Sequence, residues 1–406
     1  MCKKFILLVS ILLTLVGTTQ AGLYVWSGEA GDGLWETPAN WTVTDSTWTW
    51  PNEENAADPN LAFYINLDTL AIDVNDGGVV TRGDRLNIEN GDGSVTAVLT
   101  LDNASSLTVS GRLSIGMNLM GELNVLGGST LTILAGDNGD DLYAADDSGS
   151  AGTINIVDSI VDVADTIAID SGEGYINISG SSTITADGIT VADSADGVGY
   201  LDISGSTTVN LTDDFKVDEG IGTITIGGDA VVSFDDDGYL PDKTGEATVT
   251  ITDNAVFNVG DDITIADDAG TVGHMIITGN ATVNAPDEFY LADDPGASAV
   301  LDVNGTATLN VGDDLDVGED GPAVCNIGGD AVVTVADTIY IPHHQQGIEA
   351  SMTISGNATV SCDDLQVVND GGNTGFLHIS GDPTITMNEF LMNNDSGDPG
   401  TSEVIM

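Results

Sequence analysis

Acidic residues recur along this 406-residue chain at a spacing that could bring their carboxylates together. One row places an Asp at intervals of about 25 residues: Asp165, Asp187, Asp213, Asp237, Asp261, Asp287, Asp313, Asp337 and Asp363. If successive copies stack at the strand spacing of about 4.8 Å, neighbouring carboxylates repel by roughly 1 kcal/mol in water. The repulsion rises to about 3–4 kcal/mol at an effective dielectric constant of about 20. Such a row therefore needs solvent, salt or cations between its charges.

A second row consists of acidic turns that follow the first row by a few residues: Asp146, Asp147, Asp218, Glu219, Asp267, Asp268, Asp293, Asp294, Glu319, Asp320, Asn369, Asp370, Asn394 and Asp395. Calcium takes about six to eight oxygen ligands in a flexible geometry, which adjacent acidic turns can supply. We therefore hypothesise that Ca²⁺ bridges the following carboxylates: Asp261, Asp262, Asp267, Asp268, Asp293, Asp294, Asp313, Asp314, Asp363 and Asp364. The alternative is a solvated acidic face that favours solubility or tolerates a saline setting, because no single loop has a defined ligand spacing.

Both rows belong to a longer repeat of about 25 residues, whose clear copies include those beginning at Gly199 and Ala299. In the copy from Gly199, residues 200–203, 208–211 and 215–217 form three short apolar runs. The runs alternate apolar and polar residues, which predicts strands with one buried face. Three runs of this length leave no room for a helix.

A glycine lies between the first and second run of most copies, and one copy has Asp253 there instead: Gly180, Gly205, Gly228, Gly279, Gly305, Gly329, Gly356 and Gly381. Glycine, and less readily Asp, tolerates positive φ, which predicts a tight corner. Three strands and three corners predict an all-β fold, a right-handed single-stranded parallel β-helix. This solenoid would have about 12 coils of roughly 25 residues with three strands per coil. The right hand is expected from the sterics of parallel crossovers.

Other repeat architectures fit the sequence less well. A β-propeller blade needs about 40–45 residues and four strands. A left-handed β-helix built on hexapeptides would show a period of about 18 residues, and calcium-binding nonapeptide rolls need a motif that does not occur here.

Charge excludes two classes of partner. The chain has 7 basic and 65 acidic residues and a formal net charge of −58. Because there is no basic patch to neutralise phosphates, nucleic acid and anionic membrane surfaces are not expected as partners. A hydrophobic content of 41% distinguishes the chain from a disordered acidic tail.

Three cysteines occur, and Cys2 belongs to the targeting segment. Cys325 falls on the first run of one copy and Cys362 near the end of the second run of another. They would lie on different sides of different coils, so we expect two thiols that fill apolar space and no disulfide.

The sequence divides into a secretion signal, an N-terminal cap rich in tryptophan, the β-helix repeats and a polar tail: residues 1–21, 22–61, 62–397 and 398–406. In the signal, Lys3 and Lys4 precede an apolar segment too short to predict a transmembrane anchor. The cap holds all five tryptophans, which we expect to cover the first coil. The competing interpretation is a platform of exposed rings that stacks on carbohydrate.

The opening of the cap resembles that of a known group of proteins. Trp26-Ser27-Gly28, Gly33-Leu34-Trp35 and Pro38-Ala39-Asn40-Trp41 match a W-x-G…G-x-W…P-x-N-W pattern. This pattern is similar to that of bacterial secreted β-helix proteins, namely autotransporter-type passengers and surface proteins with a Pro-Glu-Pro sorting signal. The resemblance implies the architecture and a surface location and implies no activity. The last twelve residues carry neither a sorting signal nor a Leu-Pro-x-Thr-Gly anchor, so we expect free secretion or an anchor outside this sequence.

Two further sets of residues could do chemistry. His343 and His344 could join a metal site with Asp337, but adjacent strand residues point to opposite faces, which favours a polar surface turn. Glycan lyases on β-helices need a basic residue beside carboxylates, and that comparison rests on the fold alone. A groove lined by Arg82, Arg85 or Arg112 would favour such an enzyme.

Taken together, these features predict a secreted or cell-surface β-solenoid with a structural, adhesin-like and non-catalytic role, which presents an acidic rod. No cofactor is predicted apart from calcium. The alternative is an extracellular protein that binds or degrades polysaccharide. An extracellular glycan or a cell-surface matrix is the expected partner in either case.

Overall fold

A computed structural model describes the backbone of residues 23–26, 41–43, 62–66, 71–74, 79–82, 85–89, 96–135, 140–344, 347–369, 372–392 and 400–406. Side chains are described for residues 86–88, 96–109 and 111–135 and for the later ranges. The predicted secretion signal lies outside the described residues, as do most of the predicted cap and the side chains of its tryptophans.

The described residues form 43 strands and no helix. In chain order the strands are β1 Leu23–Trp26, β2 Trp41–Val43, β3 Ala62–Asn66, β4 Ala71–Val74, β5 Val79–Arg82, β6 Arg85–Glu89, β7 Ala97–Leu101, β8 Ser106–Ser110, β9 Arg112–Ile115, β10 Met120–Leu126, β11 Thr130–Leu134, β12 Leu142–Ala144, β13 Ala151–Val157, β14 Ile160–Val163, β15 Thr166–Ile169, β16 Glu173–Ser179, β17 Thr183–Ala186, β18 Gly188–Val191, β19 Val198–Ile203, β20 Thr208–Leu211, β21 Phe215–Val217, β22 Ile221–Ile226, β23 Val231–Phe234, β24 Gly238–Tyr239, β25 Glu246–Ile251, β26 Val256–Asn258, β27 Ile263–Ile265, β28 Val272–Ile277, β29 Thr282–Ala285, β30 Phe289–Leu291, β31 Ser298–Val303, β32 Thr308–Val311, β33 Leu315–Val317, β34 Ala323–Ile327, β35 Val332–Val335, β36 Thr338–Ile341, β37 Glu349–Ile354, β38 Thr359–Ser361, β39 Asp364–Val367, β40 Thr374–Ile379, β41 Thr384–Thr386, β42 Glu389–Met392 and β43 Thr401–Ile405.

The strands belong to three long sheets. Sheet A has 16 strands, namely β1, β2 and every third strand from β3 to β42. Sheet B has 14 strands, every third from β4 to β43, and sheet C has 13, every third from β5 to β41. From β4 onward the chain visits sheets B, C and A in turn, so one coil contains three strands and the 13 strands of sheet C mark successive coils.

Pairing between coils is parallel and in register. Along β16 and β19, Ile176 pairs with Leu201 and Asn177 pairs with Asp202. The predicted parallel β-solenoid of about 12 coils is therefore confirmed, and the propeller alternative is wrong.

Alternation of apolar and polar residues sets the strands, as one copy shows. In β19 to β21 the residues Leu201, Ile203, Val209, Leu211, Phe215 and Val217 are buried, and the residues between them are half-buried or exposed. The predicted runs 208–211 and 215–217 coincide with β20 and β21, and the run 200–203 begins two residues late. In the irregular early coils, residues 106–115 form two strands because Gly111, at φ 118°, turns the chain between β8 and β9.

One continuous apolar core fills the inside of the solenoid. Its middle contains Phe215, Phe234 and Phe257 from successive coils, with ring centroids 5.1–5.7 Å apart. Cys325 is buried in this core, and Cys362 is half-buried against it; both are free thiols.

A row of glycines and alanines near the start of the sheet B strands from β7 to β40 was not recognised from the sequence. A Cβ atom at Gly199 would lie 2.5 Å from the side chain of Val191, and one at Gly222 would lie 2.5 Å from that of Val217. The last apolar residue of the preceding sheet A strand fills this position, so only a very small residue fits.

The glycine corner connects sheet B to sheet C and contains the recurring glycines. Gly180, Gly205 and Gly228 have φ between 69° and 74°, and Asp253 has φ 60° in the copy without glycine. The described copies of this corner therefore use the left-handed region that was predicted.

The two acidic rows occupy the other corners. The first acidic corner connects sheet C to sheet A, around Asp213, Asp237, Asp261, Asp287 and Asp313. The second acidic corner connects sheet A back to sheet B: Asp193, Asp218, Asp242, Asp267, Asp293, Glu319 and His343. Sheet A, with strands of only two to five residues, thus lies between two lines of carboxylates.

The two ends of the solenoid differ. At the N-terminal end β2 runs antiparallel to β1, with Trp26 opposite Trp41, and β1 pairs in parallel with β3. At the other end residues 398–406, expected to be a polar tail, contain β43, which pairs in parallel with β40. The segment TSEVI alternates like every other sheet B strand, and this pattern went unrecognised because it is short.

A carboxylate-lined face as the candidate functional site

The outer face of sheet A lies between the two acidic corners. Strand alternation directs Thr264 and Asp316 away from the core, yet both are buried, with 4% and 3% exposure. Neighbouring side chains must therefore shield part of this outward face from solvent. Chemistry on this face is therefore carboxylate chemistry.

Groups of three carboxylates form in the first acidic corner. In each group, one oxygen from each residue lies within 4.8 Å of the others. The groups are Asp140, Asp141 and Asp165; Asp213, Asp214 and Asp236; Asp236, Asp237 and Asp261; Asp261, Asp262 and Asp287; and Asp313, Asp314 and Asp337. Calcium–oxygen distances of about 2.3–2.6 Å allow ligand oxygens at these separations, so the residues fit a calcium ion.

The structure brings together four of the residues that were predicted to bind calcium. Asp261 and Asp262 form a group with Asp287, and Asp313 and Asp314 form one with Asp337. Asp363 and Asp364 occupy the same corner one coil further on, and no group of three among the described residues includes them. Asp287 was missed as a ligand although it belongs to the same row, one step beyond Asp261.

The second residue of several Asp-Asp pairs also accepts a hydrogen bond from the backbone of the next coil. Asp262 accepts a hydrogen bond through Oδ1 from the backbone N–H of Glu288 at 2.8 Å. Asp314 does the same for Thr338 at 2.7 Å, and Asp237 accepts from the N–H of Asp262 at 3.1 Å. One carboxylate oxygen therefore links adjacent coils, and the other oxygen is left for water or a cation.

Several carboxyl groups of the first acidic corner have raised pKa values. Burial raises the pKa of Asp262 to about 6, and the adjacent Asp261 adds to the effect while the backbone hydrogen bond opposes it. Burial likewise raises the pKa of Asp314 to about 6. The pKa of Glu288 rises to about 7, through burial first and the charge of Asp262 second. These carboxyls are thus costly to ionise in the absence of a counter-charge.

In the second acidic corner, hydrogen bonds between carboxyl groups contribute to the raised pKa values. Burial raises the pKa of Asp267, and a hydrogen bond to the carboxyl of Asp293 raises it further. The pKa of Glu319 is raised by burial and then by its own hydrogen bond to Asp293. Of the predicted ligands Asp267, Asp268, Asp293 and Asp294, none joins a group of three among the described residues.

The described basic residues are all engaged with carboxylates on this face. Arg112 pairs with Asp146, donates through Nε to Ser114 Oγ at 3.0 Å, and lies 4.2 Å from the ring centroid of Tyr143. Lys243 Nζ lies 2.7 Å from Asp218 Oδ2.

Lys216 Nζ is 3.7 Å from Asp242 Oδ2, and Lys216 also lines a cleft of about 190 Å³ together with Tyr143, Asp193 and Asp214. Within the described part of this face, the cleft is the feature that most resembles the groove required by the enzyme alternative. The side chains of Arg82 and Arg85 lie outside the described residues.

The two adjacent histidines do not approach the residue that the sequence suggested. Asp337 belongs to the first acidic corner, at the other end of β36 from His343. His343 Nδ1 lies 3.0 Å from Asp316 Oδ1, and His344 Nδ1 lies 3.0 Å from Glu319 Oε1. Asp316 and Glu319 come from the previous coil, which only the three-dimensional register reveals.

Comparison of the chain with models of protein families, with curated proteins and with solved structures found no match in any of the three. No helix capable of spanning a membrane occurs in the described part of the chain.

Proposed function

We propose that the chain is a secreted or cell-surface structural protein, adhesin-like and non-catalytic, that presents an acidic face to an extracellular matrix. The observation that carries the proposal is the double line of carboxylates along sheet A, repeated from coil to coil on a regular scaffold. A binding surface of this kind is distributed along the molecule, so its strength comes from repetition.

The charge balance supports a role for the whole face. Only 7 basic residues accompany 65 acidic ones, and Arg112, Lys216 and Lys243 already pair with acids of the second corner. The described acids of the first corner make no ion pair with these three residues, and Lys216 and Arg112 act on Asp214 and Asp141 only at longer range. Its carboxylates are therefore available to cations, or to a cationic surface that reaches them through solvent.

The scaffold under the face is stiffened by side-chain ladders. On the outer face of sheet C, Asn284 donates to Asn258 at 2.8 Å and Asn310 donates to Asn284 at 2.8 Å. On sheet B, Asn177 donates to Asn155 at 2.9 Å. Stacked amides hold successive coils in one register, which suits a rod that must keep its carboxylates evenly spaced.

Bead retention on charged polysaccharide gels tests the proposal. Beads coated with the full chain are applied to chitosan, a polycation, and to alginate, a polyanion. We expect retention on chitosan that weakens as salt screens the charges, and retention on alginate only when Ca²⁺ can bridge the two sets of carboxylates.

A matched pair of variants locates the effect. One variant replaces three exposed acids of the first acidic corner, Asp261→Asn, Asp287→Asn and Asp337→Asn. The control replaces three exposed acids beside the glycine corner: Asp229→Asn, Asp330→Asn and Asp382→Asn. Calcium-dependent retention on alginate should fall in the first variant and persist in the control. Equal retention of both variants, or no retention of the wild type, would contradict the proposal.

One observation favours glycan binding as a second candidate function. Tyr175 and Tyr200 stack on the outer face of sheet B with ring centroids 4.7 Å apart, and Tyr200 is 37% exposed. Exposed aromatic rings are suited to stacking against sugar rings. Neutral oligosaccharides should then bind the wild type and fail to bind a Tyr175→Ala, Tyr200→Ala variant. An absence of binding by the wild type would remove this candidate.

A further inference from the structure

A cleft of about 520 Å³ lies on the outer face of sheet B, away from the acidic face of sheet A. It runs along the solenoid axis across β28, β31, β34 and β37, which are four successive strands of the sheet. At about 4.8 Å per coil, the first and last of these strands lie about 14 Å apart. The cleft is therefore elongated, and its volume falls in the range of about 300–1,000 Å³ that is typical of ligand sites.

The cleft forms where short side chains occupy the middle of one outward column of sheet B. In-register pairing makes Val272, Ser298, Pro322 and Glu349 successive members of this column. The turn before β34 is one residue shorter than the turn before β31, and it ends at Pro322. The compact side chains of Ser298 and Pro322 leave a depression between Val272 and Glu349.

The floor of the cleft is apolar and open to solvent. Val300, Pro322 and Val324 line it, and Val272 lies at one end. Val272 is 46% exposed and Val324 is 37% exposed. A single exposed valine needs no explanation, but apolar residues that share one cleft offer a surface on which the apolar part of a ligand can be buried.

The polar groups at the two ends of the cleft are hydrogen-bond acceptors. At one end His274 Nε2 lies 2.8 Å from Asp302 Oδ2, and Asp302 Oδ1 accepts from Asn326 Nδ2 at 2.8 Å. In the neutral ring the carboxylate of Asp302 holds the proton on Nε2, so Nδ1 is left as an acceptor. At the other end lies the exposed carboxylate of Glu349. Every residue of the lining is described, and none is Lys or Arg, so a ligand with N–H donors at both ends is favoured.

We propose that this cleft binds an aliphatic polyamine, whose methylene chain lies on the valines and whose terminal ammonium groups meet His274 and Glu349. An alkylammonium group has three N–H donors and no acceptor, which matches the acceptors at the two ends. The net charge of −58 attracts any cation to the chain, and burial of the methylene groups then favours this cleft. Because the site lies on sheet B, it does not depend on the proposed function of the acidic face.

Calorimetric titration of the full chain with diamines of increasing length tests the site. The probes are putrescine, hexamethylenediamine and octamethylenediamine, in enough salt to screen exposed carboxylates. We expect one site per chain whose affinity rises with chain length, because a longer chain buries more methylene groups and spans both ends of the cleft. The neutral analogue octanediol should bind about tenfold or more weakly. An affinity that is independent of chain length, or equal for octanediol, would overturn the proposal.

Variants of the outward column separate the cleft from the rest of the chain. Ser298→Tyr fills the cleft and Glu349→Gln removes its free carboxylate, so each should weaken the binding of octamethylenediamine by about tenfold or more. The matched controls, Ile221→Tyr and Glu173→Gln, change the same column outside the cleft and should retain the wild-type affinity. Loss in both site variants with retention in both controls supports the proposal. An unchanged affinity in Ser298→Tyr, or an equal loss in Glu173→Gln, would contradict it, whatever the calcium-dependent retention on alginate shows.

Discussion

The glycine corner and the first acidic corner both repeat from coil to coil, but successive copies approach each other in different ways. In the glycine corner the backbones approach so closely that a Cβ at Gly205 would lie 2.5 Å from the carbonyl oxygen of Gly180. In the first acidic corner the backbones also come close at Gly260 and Gly312, and in addition the carboxylates of successive coils lie near one another. Steric constraints are the same in any buffer, whereas electrostatic repulsion depends on pH, salt and cations. The glycine corner therefore defines the fold, and the acidic corners make its stability responsive to the surroundings.

The largest expected effect comes from closing the space in the glycine corner. Gly205→Ala places a methyl group against the carbonyl of Gly180 at φ 74° and should lower the free energy of unfolding by about 3 kcal/mol or more. Gly149→Ala is the matched control, because Gly149 has φ 78° with no atom near its Cβ position, and should cost about 1–2 kcal/mol. Denaturant unfolding at two values of pH measures both. Equal losses of unfolding free energy in the two variants, or a loss at Gly205 that varies with pH, would contradict the distinction between the two corners.

A smaller effect is expected from removing the structural oxygen of the first acidic corner. Asp262→Ala leaves the backbone N–H of Glu288 without its acceptor and should cost about 1–3 kcal/mol. Asp261→Ala removes a neighbouring charge that holds no backbone group and should leave stability unchanged or slightly raised. Unfolding midpoints of the two variants, measured side by side, test the difference. A reversed order would show that repulsion outweighs the hydrogen bond.

The smallest single change concerns the raised pKa of Asp267 in the second acidic corner. Asp267→Asn keeps a hydrogen-bonding group beside Asp293 but removes an ionisable one whose pKa is raised. The stability supplied by a raised carboxyl pKa is present at low pH and is lost as the pH rises through the folded-state value. The variant should thus equal the wild type at about pH 4 and exceed it by about 1–2 kcal/mol at about pH 9. Asp268→Asn, at an exposed neighbour, should show no such trend.

The fold was largely predictable because its signals are local and repeated. Alternation in residues 208–211 and the recurring Gly205 each specify a strand or a corner without reference to distant residues. Because the copies repeat, equivalent residues of successive copies are expected to pair with one another. The strand β43 was missed because it depends on a short stretch at the end of the repeats, with few copies to compare.

The site was less predictable because its partners come from different coils. Asp261 and Asp262 were recognisable as an acidic pair, but the role of Asp262 as acceptor for Glu288 depends on the stacking of coils. The same is true of His343 and Asp316, which are separated by a full repeat. The row spacing does contain the signal for Asp287, since it lies one repeat beyond Asp261 in the same turn.

Thermal unfolding as a function of pH, with chelator and with Ca²⁺, tests the central claim that the acidic corners are held together by protons or cations. In chelator the melting temperature should fall from about pH 5 to about pH 8, because Asp262, Asp314 and Glu288 lose protons across that window. Added Ca²⁺ should restore stability at the higher pH and have little effect at the lower. The account would be contradicted if the melting temperature in chelator stayed constant or rose with pH and if added Ca²⁺ did not change it.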